Sequence, residues 1–309
     1  MLYRSFGATG WQVSAIGLGT WNIGNQWGDI NETDAFATIC AAIDAGMNLC
    51  DTADAYGIPF GLSEERLGCA LAGKRNDVYI VGKVGNWGRR SGHPLPMTSP
   101  DHVRLCAHAS LYRLRTDWID VLLCHESGIA DPTVYLEGFE ALKQEGKIRC
   151  YGVSTGRLDV LKKFNTHGAC SVVEVDYSLL NRAPEAEFLP YCADHGIAVL
   201  IRGPLAKGLL SGNYSADTVF TDTVRRQFHT NEAQKAQFEK QIAVVGKLKE
   251  NLKPGADMIE ASLQFVASHP VLPCVIPGAK SPQQAQANAR AGETAMSEQE
   301  RMALASLTE

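Results

Sequence analysis

The sequence predicts an α/β protein organised as a (β/α)8 TIM barrel. Eight short β-branched runs recur along the 309 residues, and segments of helical period fill the intervals between them. A doubly wound open sheet shares that alternation but carries a GxGxxG turn after its first strand. Here the first run ends GLGTWNIG, which lacks that spacing.

The chain opens with a hairpin-like pair, LYRSF and WQVSA, about Ala8-Thr9-Gly10. The barrel strands follow as AIGLGT (15–20), NLCDTA (48–53), VYIVGKV (78–84) and IDVLLCH (119–125). They continue as IRCYGVST (148–155), SVVEVDYS (171–178), IAVLIRGP (197–204) and PCVIPGAK (273–280). Between them, ETDAFATICAAIDAG, SEERLGCALAG, SPDHVRLCAHASLYRL and DPTVYLEGFEALKQEG carry helical spacing, and several open at a Ser or Asp cap and close at a Gly. Two connections are longer than a simple turn needs. GNWGRRSGHPLPMTSP follows the third strand, and roughly 25 residues, LAKGLLSGNYSADTVFTDTVRRQFH, follow the seventh. No linker or composition shift divides the chain, so residues 1–309 are expected to form a single barrel domain.

A hydrophobic content of 45% can bury a large core. A net charge of −5 with both signs interspersed offers no basic face for nucleic acid. The longest apolar runs fall far short of a membrane span, and MLYRSFGATGW is polar and turn-like rather than a secretory leader. Nine cysteines (Cys40, Cys50, Cys69, Cys106, Cys124, Cys150, Cys170, Cys192, Cys274) are scattered without a CxxC pair. That usage reads as reduced core thiols and a cytoplasmic location. Neither nucleic acid nor membrane is an expected partner, while a homo-oligomer is compatible with the sequence.

In barrel enzymes the C-terminal strand ends carry the active site. Here they present Asp51, Lys83, His125, Ser154-Thr155, Glu174 to Tyr177, Arg202-Gly203 and Gly278-Ala279-Lys280, with Tyr56 in the loop after the second strand. A lysine, a carboxylate, an imidazole and a phenol at one mouth suit proton transfer to or from a carbonyl or alcohol. A free phenol titrates at ~10, too high for an efficient acid near neutrality, and an adjacent ammonium is expected to lower it. In this reading Asp51 holds Lys83 charged, Lys83 tunes Tyr56, and His125 hydrogen-bonds the same substrate oxygen. Taken singly, each residue is as compatible with a structural role, as a loop cap, a snorkelling barrel residue or a satisfied core histidine. Their joint placement at the ends of three successive strands singles them out.

Two rival chemistries draw on the same residues. A metal hydrolase would use His125, Glu126, Asp51 and Asp54, but the first strand lacks His-x-His and no further histidine sits at a strand end. That falls short of the three or four ligands a metal needs, so no metal is expected. A Schiff base at Lys83 requires a neutral amine, which Asp51 opposes.

The tetrad Asp51, Tyr56, Lys83 and His125 stands in DTADAYG, GKV and LLCHES. With GVST, DYSLLNR, GPLAKGLLSG and VIPGAKSPQQAQAN, it resembles the aldo-keto reductases from about residue 2 to 290. The resemblance implies a nicotinamide cofactor, NADP (NADPH) with NAD as the alternative, held in extended form without a Rossmann fold. It also implies that Tyr56 is the general acid/base and that hydride arrives from the nicotinamide C4. By the same resemblance Thr20 and Trp21 lie near the nicotinamide ribose and the substrate, with Asp51 beside the cofactor. Ser154 and Thr155 stand where the family has a Ser-Asn pair gripping the carboxamide, Glu174 where it usually has Gln, and Arg202 where an aromatic stacks. Gly203, Pro204, Leu205, Lys207 and Gly208 resemble the pyrophosphate loop. Gly278, Lys280, Gln284 and Asn288 match the adenosine end, with Lys280 toward a 2′-phosphate, and Arg225 or Arg226 is a candidate pyrophosphate clamp.

Substrate contacts are expected from Trp21, Tyr56, Trp87 and His125, with Trp27, Arg89, Arg90 and His93 in the same loops. Tryptophan mixed with arginine suits polyhydroxylated or anionic carbonyl compounds. The expected activity is therefore an NAD(P)H-dependent oxidoreductase interconverting an aldehyde, ketone or sugar with its alcohol. Two alternatives are a sugar dehydrogenase working oxidatively and a cofactor-sensing partner subunit resembling potassium channel β subunits.

Overall fold

Strand β1 (Tyr3–Ser5) and strand β2 (Gln12–Ser14) form the predicted antiparallel hairpin, with Tyr3 opposite Ser14 and a 3-10 turn at Gly7–Thr9 between them. The structure, a computed structural model, describes residues 1–93, 95–253 and 255–308. Pro94 of the predicted loop after the third barrel strand, and Glu309 of the expected domain, lie outside the described residues.

Eight parallel strands follow: β3 (Leu18–Gly19), β4 (Leu49–Asp51), β5 (Tyr79–Val84), β6 (Ile119–Cys124), β7 (Ile148–Ser154), β8 (Val172–Asp176), β9 (Ala198–Arg202) and β10 (Cys274–Val275). They lie in one sheet in chain order, and parallel bridges Ile16–Val275 and Gly19–Gly278 bring the last strand back to the first. The helices are α1 (Glu32–Asp44), α2 (Leu62–Ala70), α3 (Trp87–Ser91), α4 (Pro100–Leu114), α5 (Thr133–Gln144) and α6 (Leu158–Phe164). They continue as α7 (Phe188–Asp194), α8 (Glu232–Asn251), α9 (Met258–Ala267), α10 (Pro282–Arg290) and α11 (Glu298–Ser306). Helix α1 packs against α10, so the helical layer follows the curl of the sheet. This is the curled parallel sheet with covering helices of the α/β class expected above. None of the described helices is long and apolar enough to cross a membrane.

Predicted helix starts hold where a side chain can cap. Ser99 accepts from the His102 amide at the start of α4. Two differ. Helix α2 takes Gly61 as its cap, so Ser63 lies inside it and donates instead to Thr20 O (2.9 Å) and Thr20 Oγ1 (2.7 Å), which ties α2 to the end of β3. Helix α5 takes Pro132 as its cap, and Asp131 just outside accepts from the Thr133 amide at 3.0 Å. Between β5 and α4 the chain makes the short helix α3, and between β9 and α8 it winds through 3-10 turns at Ala206–Ser211 and Arg225–His229.

The core explains how charged residues reach the mouth. Successive side chains on a strand face opposite ways. Cys50, Ile80, Leu122, Tyr151, Val173 and Ile201 pack in the cluster that includes the helices. Leu49, Val81, Leu123, Cys150, Val172 and Leu200 form a second cluster with Phe6 and Val13 of the hairpin. Each buried aliphatic side chain of this kind contributes about 1.5–3 kcal/mol. Two residues further along those inner rows stand Asp51, Lys83, His125, Glu174 and Arg202, and four residues past Cys150 stands Ser154. The strands approach closely where this requires it: a Cβ on Gly152 would lie 1.6 Å from Val172 O. All nine cysteines are unpaired, and burial pushes Cys50 and Cys274 up to about 12, which leaves them unreactive.

Candidate active site

Lys83 leaves β5 with its side chain fully buried. Its Nζ donates to Asp51 Oδ2 at 2.5 Å and to Thr52 O at 3.1 Å, and lies 3.4 Å from the Tyr56 hydroxyl and 3.1 Å from Glu174 Oε2. Burial opposes the charged amine, but Asp51 and then Glu174 outweigh it and hold Lys83 above its ordinary value. The amine is thus held in its charged form by two carboxylates, which opposes the neutral amine a Schiff base requires. Burial, followed by the charge of Glu174, pushes Asp51 well up against the pull of Lys83. Glu174 feels the same burial, yet Lys83, a hydrogen bond with Asp51 and Arg202 hold it below its ordinary value. Pairing of Glu174 with Lys83 was not foreseen from the sequence; its place two residues after inward Val172 is the signal that points to it.

Tyr56 is buried, stacks on Trp21 (centroids 5.6 Å apart, 16° between planes) and meets His125 edge-on at 5.8 Å. Here the sequence expectation needs correction. Lys83 does pull the phenol down, but burial comes first, Asp51 and Glu174 add to it, and Tyr56 is pushed up to about 12. The ammonium stabilises the phenolate without bringing it near neutrality. His125 is held well below its ordinary value by burial and then by Lys83, Arg90, Arg202 and Arg89, so it is a neutral imidazole. Its buried Nδ1 has no hydrogen-bond partner among the described residues. Gln26, unmarked in the sequence, locks this corner: its Oε1 accepts from Trp21 Nε1 at 2.5 Å and from the Gly57 amide at 3.1 Å.

Above these residues opens a cavity of about 430 Å³. Of the predicted residues, Trp21, Tyr56, His125, Ser154, Arg202, Arg89 and Arg90 line it; Asn86, Ser127, Thr223, Val224 and Gln227 join them unpredicted. The last three come from the long loop after β9, where sequence spacing carries no register to aim a side chain. Ser154 Oγ donates to Glu174 Oε1 at 3.0 Å. Arg202 donates to Asp176 Oδ2 at 2.7 Å and lies 3.9 Å from Glu174 Oε1, so its guanidinium is anchored by two carboxylates.

Other predicted residues commit their polar atoms elsewhere. Thr20 is buried and donates to Asp51 O at 2.7 Å. Thr155 donates to Ser127 O at 2.6 Å and accepts from the Arg157 amide, so its hydroxyl braces the loop. Trp87 packs edge-on against Phe60 at 5.1 Å and does not line the cavity, and His93 is exposed. Gly278 is demanded by packing, since a Cβ there would meet Asn22 Oδ1 at 1.9 Å. Gln284 accepts from the Lys280 amide at 2.9 Å and Asn288 donates to Gly278 O at 3.2 Å, so both shape the turn before α10.

A second group of residues bears on a dinucleotide. Ala206 and Lys207 adopt left-handed φ of 47° and 57°, between Gly203 (65°) and Gly208 (92°), which strains the loop that holds Pro204 and Leu205. Lys280 Nζ donates to Trp27 O at 3.0 Å and joins the eighth loop to the first. Arg225 donates to Asp222 at 2.7 Å and to Tyr214 OH at 2.6 Å, while Arg226 is exposed. Arg202 at the end of β9, with Lys207, Arg225 and Lys280 in the segments after β9 and β10, thus make four cations on this side of the mouth. With the Ser154–Glu174 donor and acceptor pair, their chemistry fits an anionic dinucleotide bearing a carboxamide.

Comparison with known proteins agrees with this chemistry. Residues 15–309 match the family model described as Aldo/keto reductase family. The NADH-specific methylglyoxal reductase of Escherichia coli (strain K12) is 36% identical over 69% of this chain and 70% of its own. An aldo-keto reductase from Bacillus halodurans in its holo form superimposes with a TM-score of 0.81 at 32% identity, covering 100% of this chain and 97% of that one. An aldo-keto reductase from Klebsiella pneumoniae in complex with NADPH gives a TM-score of 0.73 at 27% identity, covering 100% and 96%.

Proposed function

The chain belongs to the aldo/keto reductase family, and from that premise we propose that it is an NAD(P)H-dependent reductase of aldehydes, ketones or sugars, with Tyr56 as proton donor. Residues 1–309 act in this reading as one catalytic domain. The observation that carries it is the Tyr56 hydroxyl 3.4 Å from the charged Lys83, at the floor of the cavity and against a neutral His125.

A reduced nicotinamide, when bound, would supply a hydride (a proton with two electrons) to the carbonyl carbon. The chain's own residues handle the oxygen. Tyr56 O–H donates its proton to the carbonyl oxygen, the C=O becomes a C–OH, and the phenolate left behind is stabilised by Lys83 Nζ until solvent returns a proton. His125, being neutral, offers a hydrogen bond to the same oxygen without competing as an acid. Asp51 and Glu174 keep Lys83 charged through the cycle. Because Tyr56 is held up at about 12, it carries its proton at neutral pH and is available as the donor. Ser154 and Glu174 are the residues for the carboxamide. Arg202, Lys207 and Lys280 serve the phosphates, with Lys280 the reason for preferring NADP over NAD.

The test is Tyr56→Phe. Turnover of a carbonyl panel should fall ~10²-fold or more, while cofactor binding, followed by fluorescence, stays nearly unchanged. Near-normal turnover in the variant would remove Tyr56 from the role. Negligible turnover of the parent on every carbonyl, with tight cofactor binding, would favour the sensing subunit.

A further inference from the structure

We propose that this cavity takes carbonyl compounds that carry an oxyanion, a carboxylate or a phosphate, and that Arg90 is the residue that recognises the charge. The inference rests on the reductase reading and names the substrate class of that same site.

Three guanidinium groups line the cavity and no Asp or Glu does, among the described residues. Arg202 is already answered by Asp176 and Glu174. Arg90 is not. Among the described residues its side chain makes no ion pair and no hydrogen bond, and its Nε is buried without a partner. A half-buried cation left unpaired is costly, and the cost falls when a ligand anion enters. Burial accordingly pulls Arg90 down from its ordinary value, with Tyr56 and Asp54 resisting.

The guanidinium is also held in a fixed place. Its carbon lies 4.6 Å from the centroid of Trp21 and 5.3 Å from that of Tyr56, spread over the two stacked rings. A guanidinium held against two rings makes no hydrogen bond with them through its terminal N–H groups, which are the donors suited to a carboxylate or phosphate. The same contact with Tyr56 sets the range: the guanidinium carbon is at most ~8 Å from the phenol oxygen, so with ordinary hydrogen bonds the anion lies within a few bonds of the reacting carbonyl. The cations suited to the dinucleotide sit at the end of β9 and in the segments after β9 and β10, whereas Arg90 sits on α3, after β5, over the ring of the proton donor itself. Charge at Arg90 therefore serves the substrate.

The test compares matched carbonyl pairs as substrates of the holoenzyme: succinate semialdehyde against butanal, and glyceraldehyde 3-phosphate against glyceraldehyde. The parent should favour the charged member of at least one pair by ~10-fold or more in kcat/KM, and the favoured pair tells carboxylate from phosphate. Arg90→Met should cut that charged-to-neutral ratio by ~30-fold, mainly through KM, the scale of a charge-assisted hydrogen bond. Arg90→Lys should retain part of it. Should Arg90→Met fail to fold, the parent's own preference must still weaken as ionic strength rises. An unmoved ratio, an equal fall for charged and neutral members, or an equal loss of cofactor binding overturns the inference and leaves the reductase reading standing. Reduction of none of these four while other carbonyls of the panel turn over overturns the inference alone, and turnover of no carbonyl at all takes the reductase reading down with it.

Discussion

Replacing Glu174 by Gln removes one of two carboxylates that share a single lysine while keeping its shape and its acceptor for Ser154. The contacts of Lys83 Nζ with Glu174 (3.1 Å) and with the Tyr56 hydroxyl (3.4 Å) cap the carboxylate-to-phenol separation at about 6.5 Å. At an effective dielectric of ~20, a unit charge at that distance is worth about 2.5 kcal/mol, or ~2 units of pKa. Some of this is returned because Asp51 then takes a larger share of Lys83. Tyr56, held at about 12 in the parent, should therefore fall by ~1–2 units. The pH dependence of kcat/KM for reduction of a neutral aldehyde tests this, with ultraviolet titration of tyrosinate against Tyr56→Phe as a second readout. The parent should keep its rate to the alkaline end of the range. Glu174→Gln should develop a descending limb between about pH 10 and 11, as its proton donor is lost to solvent. A limb that fails to appear in the variant, with an unmoved tyrosinate titration, would refute the claim that Glu174 helps to set Tyr56.

Lys83→Met leaves Asp51 and Glu174 buried without their cation. It should cost ~3–5 kcal/mol of stability at neutral pH and at least ~10²-fold in turnover. The stability loss should shrink on acidification as a carboxylate takes up a proton; thermal unfolding at pH 5 and 8 checks this, and an equal loss at both would contradict it. Asp54 is pushed up to about 7 by burial and then by Glu64. Since its folded value lies above the unfolded one, its contribution to stability is complete below about pH 4 and is lost as pH rises toward 7. Asp54→Asn should flatten that slope and gain on the parent by about 2–4 kcal/mol at pH 8 relative to pH 4, measured by denaturant unfolding; parallel pH profiles would refute it. Lys280→Ala should weaken NADPH by ~1–3 kcal/mol with little change for NADH, by fluorescence titration. Equal losses would assign Lys280 to its bond with Trp27 O alone.

The succession of β-branched runs and capped helical segments was enough to read the fold class, because strand length, cap and period are local properties of the chain. The same runs delivered Asp51, Lys83, His125 and Glu174 to one mouth: a strand alternates faces, so a residue two past an inward Leu or Val also faces inward. Loop residues followed no such rule. Trp87 turned to Phe60, Thr155 to Ser127, and Gln227 of the long loop after β9 came to the cavity unannounced. Only the tertiary structure decided the sign at Tyr56. The sequence places an ammonium near a phenol, which lowers a pKa. Exclusion of water by Trp21, and convergence of carboxylates at positions 51 and 174 upon that ammonium, raise it, and both arise only when strands distant in the chain close around the same point.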